Sequence, residues 1–314
     1  MAPANSSTAR LAGGRAPQAI SRQGGLMGLQ FGFCFGTSLR HDVTRDHLWK
    51  LLDAVEQHGF DSFWFYNNNG DDMPPPLELA REVAHRTSAL VFGPHVLVAA
   101  GLEPSAVVRE LTDLYRRSNG RFVAQLGIGG PREALIRDPA EAAAALEDIL
   151  RRLRRLVGES AGESSGSGPT GVPPVWLGGG REGTVRRVAA LADGWVPAFI
   201  TPAEYRRRLK VLDEERQHLG RTEHITRAVQ LVYVPPAIDT PELRRELDAE
   251  VSAHKQGCTS RDVYAVGGDR ALRERLAEFA DVGVEHVILV PARAVPDWED
   301  EIARLHHTVT TSFG

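Results

Sequence analysis

From residue 29 onward the chain repeats one pattern eight times: a short apolar run with strand character, then a stretch whose apolar residues recur at helical spacing. The strand-like runs are 29–36, 61–66, 89–98, 121–128, 173–177, 195–199, 228–234 and 286–290. Helical stretches fall at 44–58 (capped by Asp42 or Thr44), 76–87, 104–119, 140–157, 181–191, 202–219, 241–254, 270–282 and 297–306. Strands that alternate with helices predict parallel pairing with the helices outside. Eight such units predict an α/β fold of the TIM (β/α)8 barrel type rather than an open doubly wound sheet. Ligand chemistry then gathers at the C-terminal ends of the strands. Gly36 and Thr37, the loop opening at Tyr66, His95, residues 127–130 and residues 178–181 all fall there.

A chain of 314 residues suits one such barrel with extensions. Residues 28–314 are expected to form it, and residues 1–27 to be a disordered leader. That leader holds Arg10, Arg15 and Arg22 among small residues with no apolar core, so it is not a secretory signal. Residues 159–171 are rich in Gly and Ser and predict a mobile surface loop. A formal charge of -4 offers nothing for nucleic acid to bind. No apolar run approaches the length of a membrane span. Cys34 and Cys258 make no disulfide framework, which points to a reducing, cytoplasmic setting. The eleven histidines are scattered, with His306 and His307 adjacent rather than one turn apart, so no metal site is expected.

In the first strand Phe31, Phe33 and Phe35 share one face, and Gly32, Cys34 and Gly36 share the other. The small face is expected to leave room for a bulky ligand, with Cys34 as a contact. The stretch Pro173-Pro174-Val175-Trp176-Leu177-Gly178-Gly179-Gly180-Arg181-Glu182-Gly183-Thr184 reads as a strand that ends in three glycines and becomes a helix. Glycine lets a ligand approach the backbone, and first-turn N–H groups with the helix dipole attract an anion. Read alone, the triplet is equally a tight turn with nothing bound; its place at a strand end favours a phosphate site. Arg181 supports that reading, because a cation at a helix start opposes the dipole unless an anion joins it.

Three segments resemble the bacterial luciferase-like family of flavin- and deazaflavin-dependent oxidoreductases. They are Leu79-Ala80 to Thr87 with Val91-Phe92-Gly93-Pro94-His95-Val96, then Pro104 through Ser118-Asn119-Gly120-Arg121-Phe122 to Gly129, and Pro174 to Gly179 with Ala192-Asp193-Gly194-Trp195. The resemblance implies a TIM-like barrel, a homodimer, a cofactor phosphate near Gly178, Gly179, Gly180, Arg181 and Thr184, and a non-prolyl cis peptide at His95–Val96 that props up the ring. The deazaflavin branch often shows Gly-Pro-Gly-Val where this chain has Gly93-Pro94-His95-Val96, and the short connection after the fourth strand also fits that branch. Many members carry Asp-His after the second strand; here the places are Asn67 and Asn68. Asparagine hydrogen-bonds a ring edge but exchanges no proton near neutral pH.

The expected catalytic group is therefore Asn67, Asn68, Tyr66 and His41. Tyr66 can donate a proton, stack on a ring or simply pack. His41 titrates in the useful range, although a loop histidine is most simply a surface residue. His95, Val96, Gly127 and Gly129 are expected to line the cofactor. Trp64 and Trp195 read as core, Glu103 and Glu133 as solvated carboxylates, and Arg151, Arg152, Arg154 and Arg155 as the solvated face of their helix. The expected activity is hydride transfer to or from a small organic substrate by coenzyme F-420, a deazaflavin. The alternatives are a reduced-FMN monooxygenase that uses dioxygen and a separate reductase, and a catalytically silent flavin-binding paralogue.

Overall fold

The small and large faces of the first strand divide the molecule. In the computed structural model, which describes residues 28–35, 44–66, 73–129, 138–163 and 171–313, the outward phenylalanines of β1 (Gln30–Phe35) join a core shared with the surrounding helices. Its inward residue Cys34 joins a second cluster with Trp64, Val123, Trp176, Val196, Ala228, Ile288 and Val290. Period-2 alternation thus separates a helix-facing layer from the barrel interior.

The remaining strands are β2 (Ser62–Phe65), β3 (Val91–Pro94), β4 (Leu97–Val98), β5 (Ala124–Gly127), β6 (Val175–Gly178), β7 (Gly194–Val196), β8 (Thr226–Tyr233) and β9 (His286–Pro291). All neighbouring pairs are parallel, in the order β3-β2-β1-β9-β8-β7-β6-β5-β4. The expected strand 89–98 is two pieces: β3 pairs with β2 and β4 pairs with β5. The His95–Val96 peptide between them is cis. A parallel bridge between Phe92 and Phe122 brings the two edges together, so nine strands fill the eight positions of a barrel.

Helices α1 (Arg45–Gln57), α2 (Pro76–Arg86), α3 (Pro104–Arg117), α4 (Pro139–Glu163), α5 (Glu182–Leu191) and α6 (Pro202–His218) follow the strands as expected. Beyond them lie α7 (Pro241–His254), the short α8 (Ser260–Val263), α9 (Gly268–Asp281) and α10 (Trp298–Phe313). Thr44 rather than Asp42 caps α1, and Thr201 with Glu204 closes a capping box on α6. Glu103, expected to be merely solvated, accepts from the N–H groups of Ser105 and Ala106 and caps α3.

Three boundaries depart from expectation. Helix α4 runs to Glu163, into the segment expected as a loop, because Gly158 stays helical instead of terminating it. The strand expected at 195–199 stops at Val196, where Pro197 has no N–H to give the ladder. The last helix continues past His306 to Phe313. The leader 1–27 lies outside the described residues. Among the described residues no helix is long and apolar enough to cross a membrane, and no group of side chains could hold a metal ion.

The segments that carry the family resemblance have structural work. Arg121 is buried; its guanidinium donates to Thr87 Oγ1 at 2.7 Å, to the Leu90 carbonyl at 3.1 Å and to the Ala84 carbonyl at 2.8 Å. It thereby closes the C-terminus of α2 against the barrel. Asp193 accepts from Val175 N at 2.9 Å and from Arg154 at 3.0 Å. Arg154 therefore is not part of a solvated face: it also donates to the Leu191 carbonyl at the end of α5.

Candidate active site at the barrel mouth

The space expected over the small face of β1 is occupied by the protein itself. A Cβ on Gly32 would lie 2.1 Å from Ser62 Oγ and 2.8 Å from Trp64 Nε1. One on Gly93 would meet the Val123 carbonyl at 2.3 Å, and one on Gly194 the Trp176 ring at 2.3 Å. Gly32 and Gly194 thus make room for two indoles, Trp64 and Trp176, which stack 5.2 Å apart in the lumen, and Gly93 lets the Val123 backbone come close. Cys34 is fully buried there, and burial pushes its thiol well up, so it is neither an accessible contact nor a nucleophile. At the closed end His286 Nε2 lies 2.8 Å from Ser62 Oγ, which accepts from Trp64 Nε1 at 2.6 Å. The floor of any site is therefore an aromatic plug.

Above the plug the lumen becomes polar. Trp64 meets His95 edge-on at 6.4 Å, and His95 meets Tyr66 edge-on at 5.6 Å. His95 is only 4% exposed. Its Nε2 lies 2.7 Å from Gln230 Oε1, and its Nδ1 faces the amide of Gln125. Gln230 Nε2 in turn donates to the Tyr66 hydroxyl at 3.3 Å. Burial lowers the pKa of His95 and outweighs the two amide contacts, while burial raises that of Tyr66. At neutral pH the pair is an uncharged imidazole and an un-ionised phenol. Both ring nitrogens of His95 are engaged, so neither is left to hydrogen-bond a further group.

Gln125 and Gln230 escaped sequence reasoning. Their signal is present, since each is a lone amide at an inward position of an apolar run, Val123-Ala124-Gln125-Leu126 and Ala228-Val229-Gln230-Leu231. Reading β5 and β8 for inward polar residues finds both.

Next to His95, Val96 rests on two of the expected site glycines. A Cβ on Gly127 would lie 2.7 Å from Val96 Cγ2, and one on Gly178 would lie 3.0 Å from Val96 Cγ1. The missing side chains there accommodate Val96 first, leaving backbone as what Gly127 and Gly178 can offer a ligand. Gly129 and Gly179 adopt φ of +87° and +111°, which favours glycine. The Gly179 carbonyl accepts from Trp195 Nε1 at 2.9 Å, and Trp195 stacks on Tyr205 at 4.7 Å. A core tryptophan thus orients the glycine turn. No side chain caps the first turn of α5; its N-cap residue, Arg181, is exposed and makes no ion pair among the described residues, and Thr184 sits in that first turn. Gly180 adjoins Pro197 and Ile200 at the same rim. His41, Asn67, Asn68, Gly36, Thr37, Gly130 and Glu133 lie outside the described residues.

The barrel fold is shared widely among solved structures. An F-420-dependent secondary alcohol dehydrogenase in complex with an F-420–acetone adduct superposes with a TM-score of 0.70 at 14% identity, over 91% of this chain and 99% of that one. The coenzyme F-420-dependent tetrahydromethanopterin reductase of Methanopyrus kandleri gives 0.67 at 17% identity, over 91% and 100%. The oxygenating constituent of 3,6-diketocamphane monooxygenase of Pseudomonas putida, in complex with FMN, gives 0.64 at 14% identity, over 91% and 97%. At such identities the likeness establishes the fold. No curated protein matches the sequence. The family model for luciferase-like monooxygenase, however, matches residues 27–280. From the barrel, its split third strand and that match it follows that the chain belongs to the luciferase-like monooxygenase family of flavin- and deazaflavin-dependent oxidoreductases.

Proposed function

We propose that this protein binds coenzyme F-420 in the barrel mouth and transfers hydride between it and a small organic substrate, the reduced coenzyme giving hydride or the oxidised coenzyme taking it. The observation that carries the reading is Arg181. It is an exposed cation without an ion pair among the described residues, at an uncapped helix start that follows a glycine turn. A helix dipole and a cation repel each other, and a phosphate or carboxylate between them reverses the sign of that interaction. A phosphate-bearing ring cofactor therefore fits the residues present: Gly179, Gly180, Arg181 and Thr184 would hold the anionic end. Val96 and His95 would support the ring, and Asn67 and Asn68 would hydrogen-bond its edge. When bound, the coenzyme supplies the hydride chemistry. The chain's part is to orient it, to close the lumen beneath it with Trp64 and Trp176, and to hold the Tyr66 phenol un-ionised beside it.

The connection between β5 and α4, residues 128–138, is short, which supports the deazaflavin over FMN. Titration with coenzyme F-420, FMN and reduced FMN, followed by ligand fluorescence, tests the choice. Tight binding of the first alone is expected. Binding of reduced FMN alone would replace this reading with that of a monooxygenase fed by a separate reductase, and binding without turnover would leave a silent paralogue. A homodimer belongs to the same proposal through the family resemblance, and sedimentation tests it.

Two variants probe the anion site. Arg181→Glu is expected to weaken coenzyme binding more than tenfold, about 1.4 kcal/mol; unchanged affinity removes Arg181 from the site. Trp195→Phe keeps a ring against Tyr205 but deletes the donor to the Gly179 carbonyl. Several-fold weaker binding is expected together with a lower melting temperature from the core volume and hydrogen bond removed, and equal affinity would show that the glycine turn needs no such anchor.

A further inference from the structure

The four side chains Gln125, His95, Gln230 and Tyr66 form one hydrogen-bonded chain from the buried wall of the barrel to its mouth. Such a chain has a direction, because each link needs one donor and one acceptor. His95 lies 4% exposed, with an amide at each ring nitrogen. As placed, both amides turn their oxygens toward the ring, an arrangement only an imidazolium could satisfy. Among the described residues no carboxylate touches the ring to stabilise that charge, and burial disfavours it. A neutral imidazole carries one N–H, so one amide must present its NH2 instead.

The remaining polar atoms decide which amide. Gln230 already uses both ends, its oxygen toward His95 at 2.7 Å and its nitrogen toward Tyr66 at 3.3 Å. Gln125 is fully buried and its Nε2 has no partner among the described residues. A buried NH2 without an acceptor is among the rarest defects in folded proteins, whereas an under-used carbonyl is more common. Amide oxygen and nitrogen are exchanged by a half-turn about one bond that leaves the shape unchanged. Turning Gln125 gives its NH2 an acceptor in His95 Nδ1 and satisfies the neutral ring in the same move.

We propose that the chain runs one way. Gln125 Nε2 donates to His95 Nδ1, His95 Nε2 donates to Gln230 Oε1, and Gln230 Nε2 donates to the Tyr66 oxygen. The phenol hydrogen of Tyr66 is thereby left over for a bound molecule. Gln125 and Gln230 are then positioning residues that fix the polarity of Tyr66. At that point the mouth takes a hydrogen-bond acceptor without a donor: a carbonyl, imine or alkoxide group of the substrate. This rests on the mouth being the binding site proposed above. The opposite polarity, with a proton on Nδ1 and the Tyr66 hydrogen spent on Gln230, would select a donor and would leave the Gln125 NH2 orphaned.

The polarity is read without any cofactor, so its failure is separable from failure of the cofactor reading. In full-length protein labelled with 15N-histidine, long-range 1H–15N correlation at neutral pH reports the tautomer of His95, assigned by loss of its signals in His95→Gln. Protonated Nε2 with bare Nδ1 is expected. A proton on Nδ1, alone or in an imidazolium, overturns the proposal. In Gln125→Met, of similar length, the thioether cannot donate, and the 15N resonance of His95 Nδ1 is expected to move toward that of a bare nitrogen without a hydrogen bond; an unmoved resonance overturns the assigned direction. The acceptor preference is read from the 13Cζ resonance of Tyr66, assigned through Tyr66→Phe. Cyclohexanone is expected to shift it and methylenecyclohexane, of the same shape without the oxygen, to leave it in place. No difference between the two probes overturns the substrate class.

Discussion

Acidification from pH 7 to pH 4.5 is expected to remove about 2.5 kcal/mol of folding stability through His286 alone. This histidine is 1% exposed among Trp64, Trp176 and Ser62, and burial lowers its pKa from 6.5 to about 3. The unfolded chain takes up a proton at this residue as the pH falls through about 6.5, while the folded protein refuses it until about pH 3. Between those values the unfolded state binds more protons, so stability falls with pH by up to about 1.4 kcal/mol per unit. His95 is shifted in the same direction by the same cause and adds to the slope. The measurement is urea unfolding across this range in the native protein and in His286→Gln, whose amide can still meet Ser62 Oγ and never charges. The variant is expected to lose less stability on acidification by about the amount given. Parallel curves would mean that His286 is protonated in the folded protein or that water reaches it.

Gly194→Val is expected to cost at least about 3 kcal/mol, the upper part of the range for overpacked cores. The position has no positive φ; what forbids a side chain is space, since its Cβ would sit 2.3 Å from Trp176 Cδ1 and 2.5 Å from Nε1. Trp176 cannot swing away, because Trp64 stacks on it at 5.2 Å and His286 meets its edge at 5.4 Å. The clash would therefore be relieved only by displacing β7, which carries Trp195 and through it the Gly179 turn. Under the proposed function, loss of coenzyme affinity is expected to accompany the loss of stability. Gly183→Ala is the matched control: nothing lies within 4 Å of its Cβ, and replacing a helical glycine gains about 0.5 kcal/mol. Chemical denaturation of the three proteins checks the contrast, and a Gly194→Val protein as stable as the native one would show that the plug can be repacked.

The fold was legible because strand and helix periodicities alternate cleanly, and because caps such as Thr44, Thr201 and the prolines that open α2, α3 and α6 mark helix starts locally. Periodicity also sorted the residues of β1 into two faces correctly. It said nothing about what fills the small face. The same three segments that betray the family proved to hold helix ends and strand edges, through Arg121 and Asp193. They therefore marked the ancestry of the chain more directly than its chemistry.

Sequence by itself determined the eightfold alternation and the glycine turn with Arg181 at the start of α5. Each follows from residues close together in the chain, where spacing and intrinsic conformational preference act. Tertiary structure alone decided that Trp64 and Trp176 plug the lumen, that Val96 rests on Gly127 and Gly178, and that Gln125, His95, Gln230 and Tyr66 share one hydrogen-bonded chain. Those contacts join strands up to 164 residues apart, and they exist only because barrel closure sets inward side chains of different strands against one another. No local pattern records which of them will meet.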